Sequence, residues 1–268
     1  MLLTCKENMI QGLNMSEVCR KVKDAGFDGI DLMGGVLKQQ LIEVKSALRD
    51  TGLVSAAVYG QLGKAGSSLI DLTAAARVQA LDLFKERIEL AAEVGAGRLI
   101  FVPRFGKSEL RPEASDWVLI TMLDELAEWA AGIPVTLIME PLNRRESEFL
   151  HDPLKGLALV SEVGRPNVKT MIDTYHMFVE QQDVTDVTAQ LGSALGLVHL
   201  SDSERKLPGQ GVVDFQQVLH VLHKVRYDGP LGFECKEAGL TELHTSVAYI
   251  KELLADVQAA ARSKEKVQ

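Results

Sequence analysis

Eight short, nearly continuous apolar runs, most of them followed by a longer amphipathic stretch, constrain this chain more than any other feature. The runs are MLLTC at 1–5, GIDLM at 29–33, LVSAAVY at 53–59, RLIFVP at 98–103, VTLIME at 135–140, VKTMID at 168–173, LGLVHL at 195–200 and LGFEC at 231–235. A strand wetted on one face alternates polar and apolar residues, whereas a strand covered on both faces does not. These runs therefore read as parallel strands buried between layers. The clearest helical pattern is 77–96, where Leu81, Phe84, Ile88, Ala91 and Ala92 recur at three- and four-residue steps. Others fall near 16–25, 38–51, 116–131, 153–163, 183–194, 214–226 and 241–260. Eight strand–helix units in 268 residues predict one (β/α)8 TIM barrel spanning 1–268. An open doubly wound sheet is the alternative. It favours a glycine-rich phosphate turn after an early strand, and no GxGxxG occurs there.

Boundary residues agree with this reading. Gly26, Gly52, Gly97, Gly132, Gly164 and Gly229 each stand between a helical pattern and the next apolar run, where a left-handed cap is expected. Asp152-Pro153 and Ser16-Glu17 read as helix starts. The tail ARSKEKVQ at 261–268 reads as a frayed helix end.

Composition removes whole classes of function. Lys plus Arg is 29 against 37 for Asp plus Glu, a net charge of −8, which argues against a general nucleic-acid binder. No apolar run approaches the ~18 residues of a membrane span. Cys5, Cys19 and Cys235 form no CxxC and no even framework, and MLLTCKEN carries no long apolar leader. The expectation is a reducing cytosol.

In a barrel, functional side chains project from the C-terminal ends of strands. The last four strands end on Glu140, Asp173, His199 and Glu234, spaced 33, 26 and 35 residues apart. Each spacing is roughly one βα repeat of about 30 residues, so the four groups should share one height on the rim. Singly, each reads equally well as a helix cap, a rim ion pair or a core histidine. Jointly, three carboxylates and an imidazole in an apolar mouth repel one another unless a cation is present. A divalent metal resolves this, and the N/O set suits Mn2+, Mg2+, Co2+ or Zn2+. Around these ends lie EPLNRRE at 140–146, DTYH at 173–176 and HLSDSERKLPGQG at 199–211. Gly209 and Gly211 either let a loop approach a ligand closely or form a surface turn. Arg104 and Lys107 follow strand four, either as solvent-facing charge or as anchors for a substrate phosphate or carboxylate.

From GFDGIDL at 26–32 to GFECK at 232–236, these blocks resemble the sugar phosphate isomerase/epimerase family with the xylose-isomerase-like barrel. The likeness is greatest to ketose 3-epimerases of the D-tagatose 3-epimerase type, with hydroxypyruvate isomerases related. The resemblance implies metal ligation by Glu140, Asp173, His199 and Glu234, with Mn2+ the leading ion. It also implies substrate contacts from Glu146 of EPLNRxE, His176 of DxxH and Arg205 of HxxDxxRxxPGxG. The implied partner is a small sugar or sugar phosphate, with no nucleic acid or membrane, and the implied assembly is a homodimer or homotetramer.

The chemistry expected of such a site is proton transfer next to a ketone. A metal on the carbonyl and adjacent hydroxyl oxygens stabilises a planar cis-enediolate. Glu140 and Glu234 on opposite faces would serve as base and acid and so invert the carbon. The same intermediate protonated at the neighbouring carbon gives aldose–ketose isomerisation. An inosose-type dehydratase starts from the same enolate. Abasic-site nuclease chemistry on this fold needs extra histidines from early strands, yet His151, His176, His199, His220, His223 and His244 all lie at 151 or later. A scaffold that kept the barrel without catalysis would not be expected to retain all four ligand-type residues.

Overall fold

The computed structural model describes residues 1–60 and 67–265. Its eight strands are β1 (Leu3–Lys6), β2 (Gly29–Met33), β3 (Val54–Tyr59), β4 (Arg98–Phe101), β5 (Thr136–Met139), β6 (Val168–Asp173), β7 (Leu195–Leu200) and β8 (Leu231–Phe233). They pair in parallel in sequence order, and β8 closes onto β1. This is the (β/α)8 barrel expected from the apolar runs. The strands are short and almost wholly buried, because lumen side chains cover one face and helices the other.

The surrounding helices are α1 (Met15–Asp24), α2 (Gly34–Thr51), α3 (Ala74–Glu93), α4 (Pro112–Trp129), α5 (Pro153–Val163), α6 (Thr174–Val179), α7 (Val184–Leu191), α8 (Phe215–Lys224) and α9 (Leu240–Glu265). Helix α3 buries Leu81, Phe84, Ile88 and Ala91 as its period predicts, with Ala92 half-buried. The main core lies between strands and helices. A smaller cluster of Ala57, Ile100, Ile138, Met171 and Leu197 fills the lumen beneath the rim, with Met33 and Tyr59 above it. Among the described residues, no helix is long and apolar enough to cross a membrane.

Several boundaries differ from the sequence reading. Helix α1 is capped by Asn14, whose side chain accepts from Glu17 N, while the Glu17 carboxylate reaches back to Leu13 N; Ser16 lies inside the helix. Asp152 does cap α5, accepting from Leu154 N at 2.9 Å. Of the six glycines, Gly26, Gly52 and Gly164 are left-handed, but Gly97, Gly132 and Gly229 are not. After α3 the chain reverses two residues earlier, at Gly95, and after α8 Arg226 takes the left-handed place. Ala261 to Glu265 form the end of α9, and the last three residues of the tail lie outside the described residues. The short α6 has no apolar period of its own and was not expected.

Candidate active site

The barrel places Glu140, Asp173, His199 and Glu234 together at its C-terminal mouth. Asp173 and His199 are directly paired in register, and Gly232, two residues before Glu234, is paired with His199. Glu140 extends β5 by one ladder bond, its N–H donating to Phe101 O at 2.9 Å. One donor atom from each of the four residues lies within 4.8 Å of the others. His199 Nδ1 stands 2.7 Å from Glu234 Oε2, 3.1 Å from Glu140 Oε1 and 4.0 Å from Asp173 Oδ2.

Burial and mutual charge set the protonation of this group. Burial and the neighbouring Glu234 charge push Glu140 above the ordinary carboxylate range, against the pull of His199. Burial would raise Glu234 too, but Lys6, His199 and Arg205 outweigh it and hold it well below that range. Burial would lower His199, yet Glu234 and Glu140 together push it up to about 10. Lys6, Arg205 and His199 are the positive groups facing the three carboxylates, with His199 Nδ1 against Glu234 Oε2 and Arg205 against Asp173 Oδ2. Three hard oxygens and one imidazole nitrogen converging on one point fit a divalent metal ion.

The flanking loops bring up the remaining expected residues. Asp173 ends β6 and caps α6 at once: its Oδ1 accepts from Tyr175 N at 2.7 Å and from His176 N at 3.4 Å. That single turn brings the buried His176 against the loop after β5, where Asn143 N and Nδ2 both donate to its Nδ1, at 3.0 and 2.9 Å. Asn143 also donates to Glu146 Oε1 at 2.8 Å. Arg205 donates to Asp173 Oδ2 at 2.9 Å, and its second terminal nitrogen is 2.8 Å from His176 Nε2 and 3.9 Å from Glu146 Oε2. Its positive charge is reinforced by Asp173, Glu234 and Glu140, which outweigh the cost of burial.

The loop after β7 is built around a carboxylate of its own. Gly209 N and Gly211 N donate to Asp202 Oδ2, so these glycines wrap Asp202 rather than a ligand. Arg104 and Lys107 are not among the residues lining the cavity. Arg104 instead bonds Lys107 O at 3.0 Å and pairs with Asp71 at 3.4 Å. Their loop is stitched to the one carrying Glu146, with Gly106 N donating to Glu146 O and Glu148 N to Gly106 O. His151 lies outside the cavity lining, and His220 and His244 are exposed on helices.

Two cavity residues whose side chains touch the four-residue cluster were missed from sequence. Lys6, at the end of β1, forms an ion pair with Glu234 Oε1 and lies 4.3 Å from the centroid of the Tyr59 ring. Tyr59, at the end of β3, points its hydroxyl at His199 Nε2, 3.3 Å away. The strand-end rule finds both once it is applied to the early strands as well. The cavity measures about 480 Å³ and is walled opposite the charged groups by Met33, Ile100, Phe101, Val102, Phe105 and Leu142.

Comparison with known proteins agrees with this architecture. The family model described as xylose isomerase-like TIM barrel matches residues 19–256. An L-ribulose 3-epimerase of Mesorhizobium japonicum is 29% identical, over 90% of this chain and 82% of its own. A 3-dehydro-D-guloside 4-epimerase of Escherichia coli is 28% identical, over 82% of this chain and 87% of its own. The crystal structure of D-psicose 3-epimerase with D-tagatose from Clostridium cellulolyticum superimposes with a TM-score of 0.86 at 19% identity. That match covers 95% of this chain and 99% of the other, and shows the shared fold.

Proposed function

The chain belongs to the xylose isomerase-like TIM barrel family, and from that premise we propose that it is a metal-dependent ketose 3-epimerase. The observation that carries this reading is the convergence of Glu140, Asp173, His199 and Glu234 in one compact group, two of whose members, Glu140 and Glu234, line the cavity, in a chain whose relatives include named sugar epimerases. These four residues would hold the ion, Mn2+ in the first instance, with Mg2+, Co2+ and Zn2+ compatible with the same donors. Bound there, a divalent ion supplies Lewis-acid stabilisation for the negative charge that develops on the substrate's oxygens.

The protein's own groups then move the proton. One of Glu140 and Glu234 takes the proton from the carbon beside the ketone, leaving a planar enediolate. The other returns a proton to the opposite face, which inverts that carbon. Asp173 and His199 have no proton duty. His176 and Arg205 are suited to the carbonyl end. Two N–H groups of Asn143 donate to His176 Nδ1, so a neutral ring carries its proton on Nε2. Nε2–H then lies beside the Arg205 guanidinium, 2.8 Å away, and one substrate oxygen to the side of the pair would accept from both. Glu146, held by Asn143, is placed to accept from a substrate hydroxyl.

The test is proton exchange in D2O. Mn2+-loaded protein is incubated with ketoses, ketose phosphates and hydroxypyruvate, and deuterium is located by NMR. Deuterium at C3 together with a C3 epimer is the expected result. Exchange at C1 or C2 with an aldose product would make the protein an isomerase, and loss of water a dehydratase. No exchange in any compound overturns the reading. The E. coli relative favours a second one, inversion at C4 beside a C3 ketone, which uses the same pair of carboxylates. Including a 3-ketoglycoside in the panel separates the two.

A further inference from the structure

Tyr59 is an aromatic residue at the mouth whose side chain touches the four-residue cluster without belonging to it. It ends β3 in register with Met33 and Ile100, and the next residue fixes the strand end, Gly60 N donating to Ile100 O at 2.8 Å. The side chain is 7% exposed. Its ring lies nearly parallel to the His199 imidazole, at 29° with centroids 5.9 Å apart, and its hydroxyl is 3.3 Å from Nε2. The other imidazole nitrogen, Nδ1, is the one that faces the three carboxylates.

An imidazole offers a given metal ion one nitrogen at a time, and the ring must be held so that the correct one is presented. Metal-ligating histidines achieve this by donating the opposite N–H to a fixed acceptor. A buried carboxylate, Asp31, also lies in the lumen near His199. Its Oδ2 accepts from Thr4 Oγ1 at 2.5 Å and its Oδ1 has no hydrogen-bond partner among the described residues, and the hydrogen bond found at His199 Nε2 is the one to the Tyr59 hydroxyl. The Tyr59 ring is itself held from its other partner, the Lys6 ammonium, which also grips Glu234 Oε1 and leaves Oε2 turned toward His199.

We infer that Tyr59 is the positioning residue of the metal centre: its hydroxyl accepts the Nε2–H of His199 and so commits Nδ1 to the ion. This rests on the metal site proposed above, and it assigns a role to the early half of the barrel, which supplies none of the four ligands. Tyr59→Phe keeps the ring, its packing and its contact with Lys6, and removes only the acceptor.

The experiment is direct titration of metal-free protein with Mn2+ and Zn2+ by calorimetry, for the wild type and Tyr59→Phe. The expected result is a dissociation constant raised about 10- to 100-fold in the variant, the usual effect of losing such a partner, together with a shifted d–d spectrum of the Co2+-loaded form. Equal dissociation constants overturn the inference. Wild-type protein that binds no divalent ion overturns the metal site itself, and the inference with it. Should the variant fail to fold, 15N NMR of Zn2+-loaded wild type decides. Metal-bound Nδ1 with a protonated Nε2 in His199 is expected, and metal-bound Nε2 refutes the assignment.

Discussion

The loop that delivers Arg205 depends on one buried carboxylate, and Asp202→Asn should expose that dependence. Asp202 is fully buried and accepts four backbone N–H groups: Ser203 at 2.8 Å and Val213 at 3.0 Å on Oδ1, Gly211 at 2.9 Å and Gly209 at 3.1 Å on Oδ2. An added Cβ at Gly211 would collide with this carboxylate, so the loop is drawn tightly around it. The enclosed segment holds Glu204 at φ 61° and Arg205 at φ 60°, left-handed conformations that cost about 1–3 kcal/mol each unless the surroundings enforce them. Asparagine keeps the shape but must turn its NH2 toward one of the two donor pairs. Two hydrogen bonds to a charged acceptor, worth about 1.5–3 kcal/mol each, are then replaced by donor–donor contacts. A loss of about 3 kcal/mol or more follows, or roughly 6–12 °C in melting temperature at about 2–4 °C per kcal/mol for a chain of this size. Arg205 should lose its grip on Asp173, raising KM for the sugar. Thermal unfolding followed by circular dichroism reads the first effect. A melting temperature within about 2 °C of wild type, less than 1 kcal/mol, would refute the reasoning.

Glu140→Gln should lower C3 exchange by about 10²- to 10⁴-fold, the range for a lost general acid or base, and a wild-type rate would sink the assignment. Gly232→Ala would set a Cβ 2.8 Å from Asp31 Oδ2 and 3.1 Å from His199 Cδ2; overpacking of about 1–3 kcal/mol and weaker metal binding are expected, and an unchanged melting curve contradicts the packing argument. Glu7 accepts from Met33 N at 3.0 Å in a buried site, and burial raises its carboxyl from 4.5 to about 7. A raised carboxyl favours the folded protein while protonated, so its contribution is complete below about pH 4.5 and is lost as pH rises through about 7. Glu7→Gln should therefore flatten the decline in melting temperature between those values, and parallel wild-type and variant curves would remove Glu7 as its source.

Strand positions were legible because burial on both faces writes itself as unbroken apolar runs, and that signal does not depend on partners far along the chain. The late rim was legible for a related reason. Glu140, Asp173, His199 and Glu234 are all ligand-type residues at successive strand ends, so a single rule finds them together. The early rim has no such common chemistry: β2 ends on Met33 and β4 on Phe101, and the lysine that ends β1 and the tyrosine that ends β3 match no ligand pattern. Gly97, Gly132 and Gly229 misled because a helix can also reverse on a residue nearer its end, as Gly95 and Arg226 do, and only tertiary packing decides which. Loop glycines in PGQG read either as room for a ligand or as a surface turn, and the carboxylate they serve lies within the same motif, at Asp202. The sharpest case is Lys6 against Glu234. They are 228 residues apart and meet only because β8 pairs with β1, Cys5 standing opposite Phe233. Closure of the barrel is therefore part of the site and not merely its support: it brings Lys6 to the carboxylate that faces His199, and so joins the early half of the chain to the half that carries the four-residue cluster.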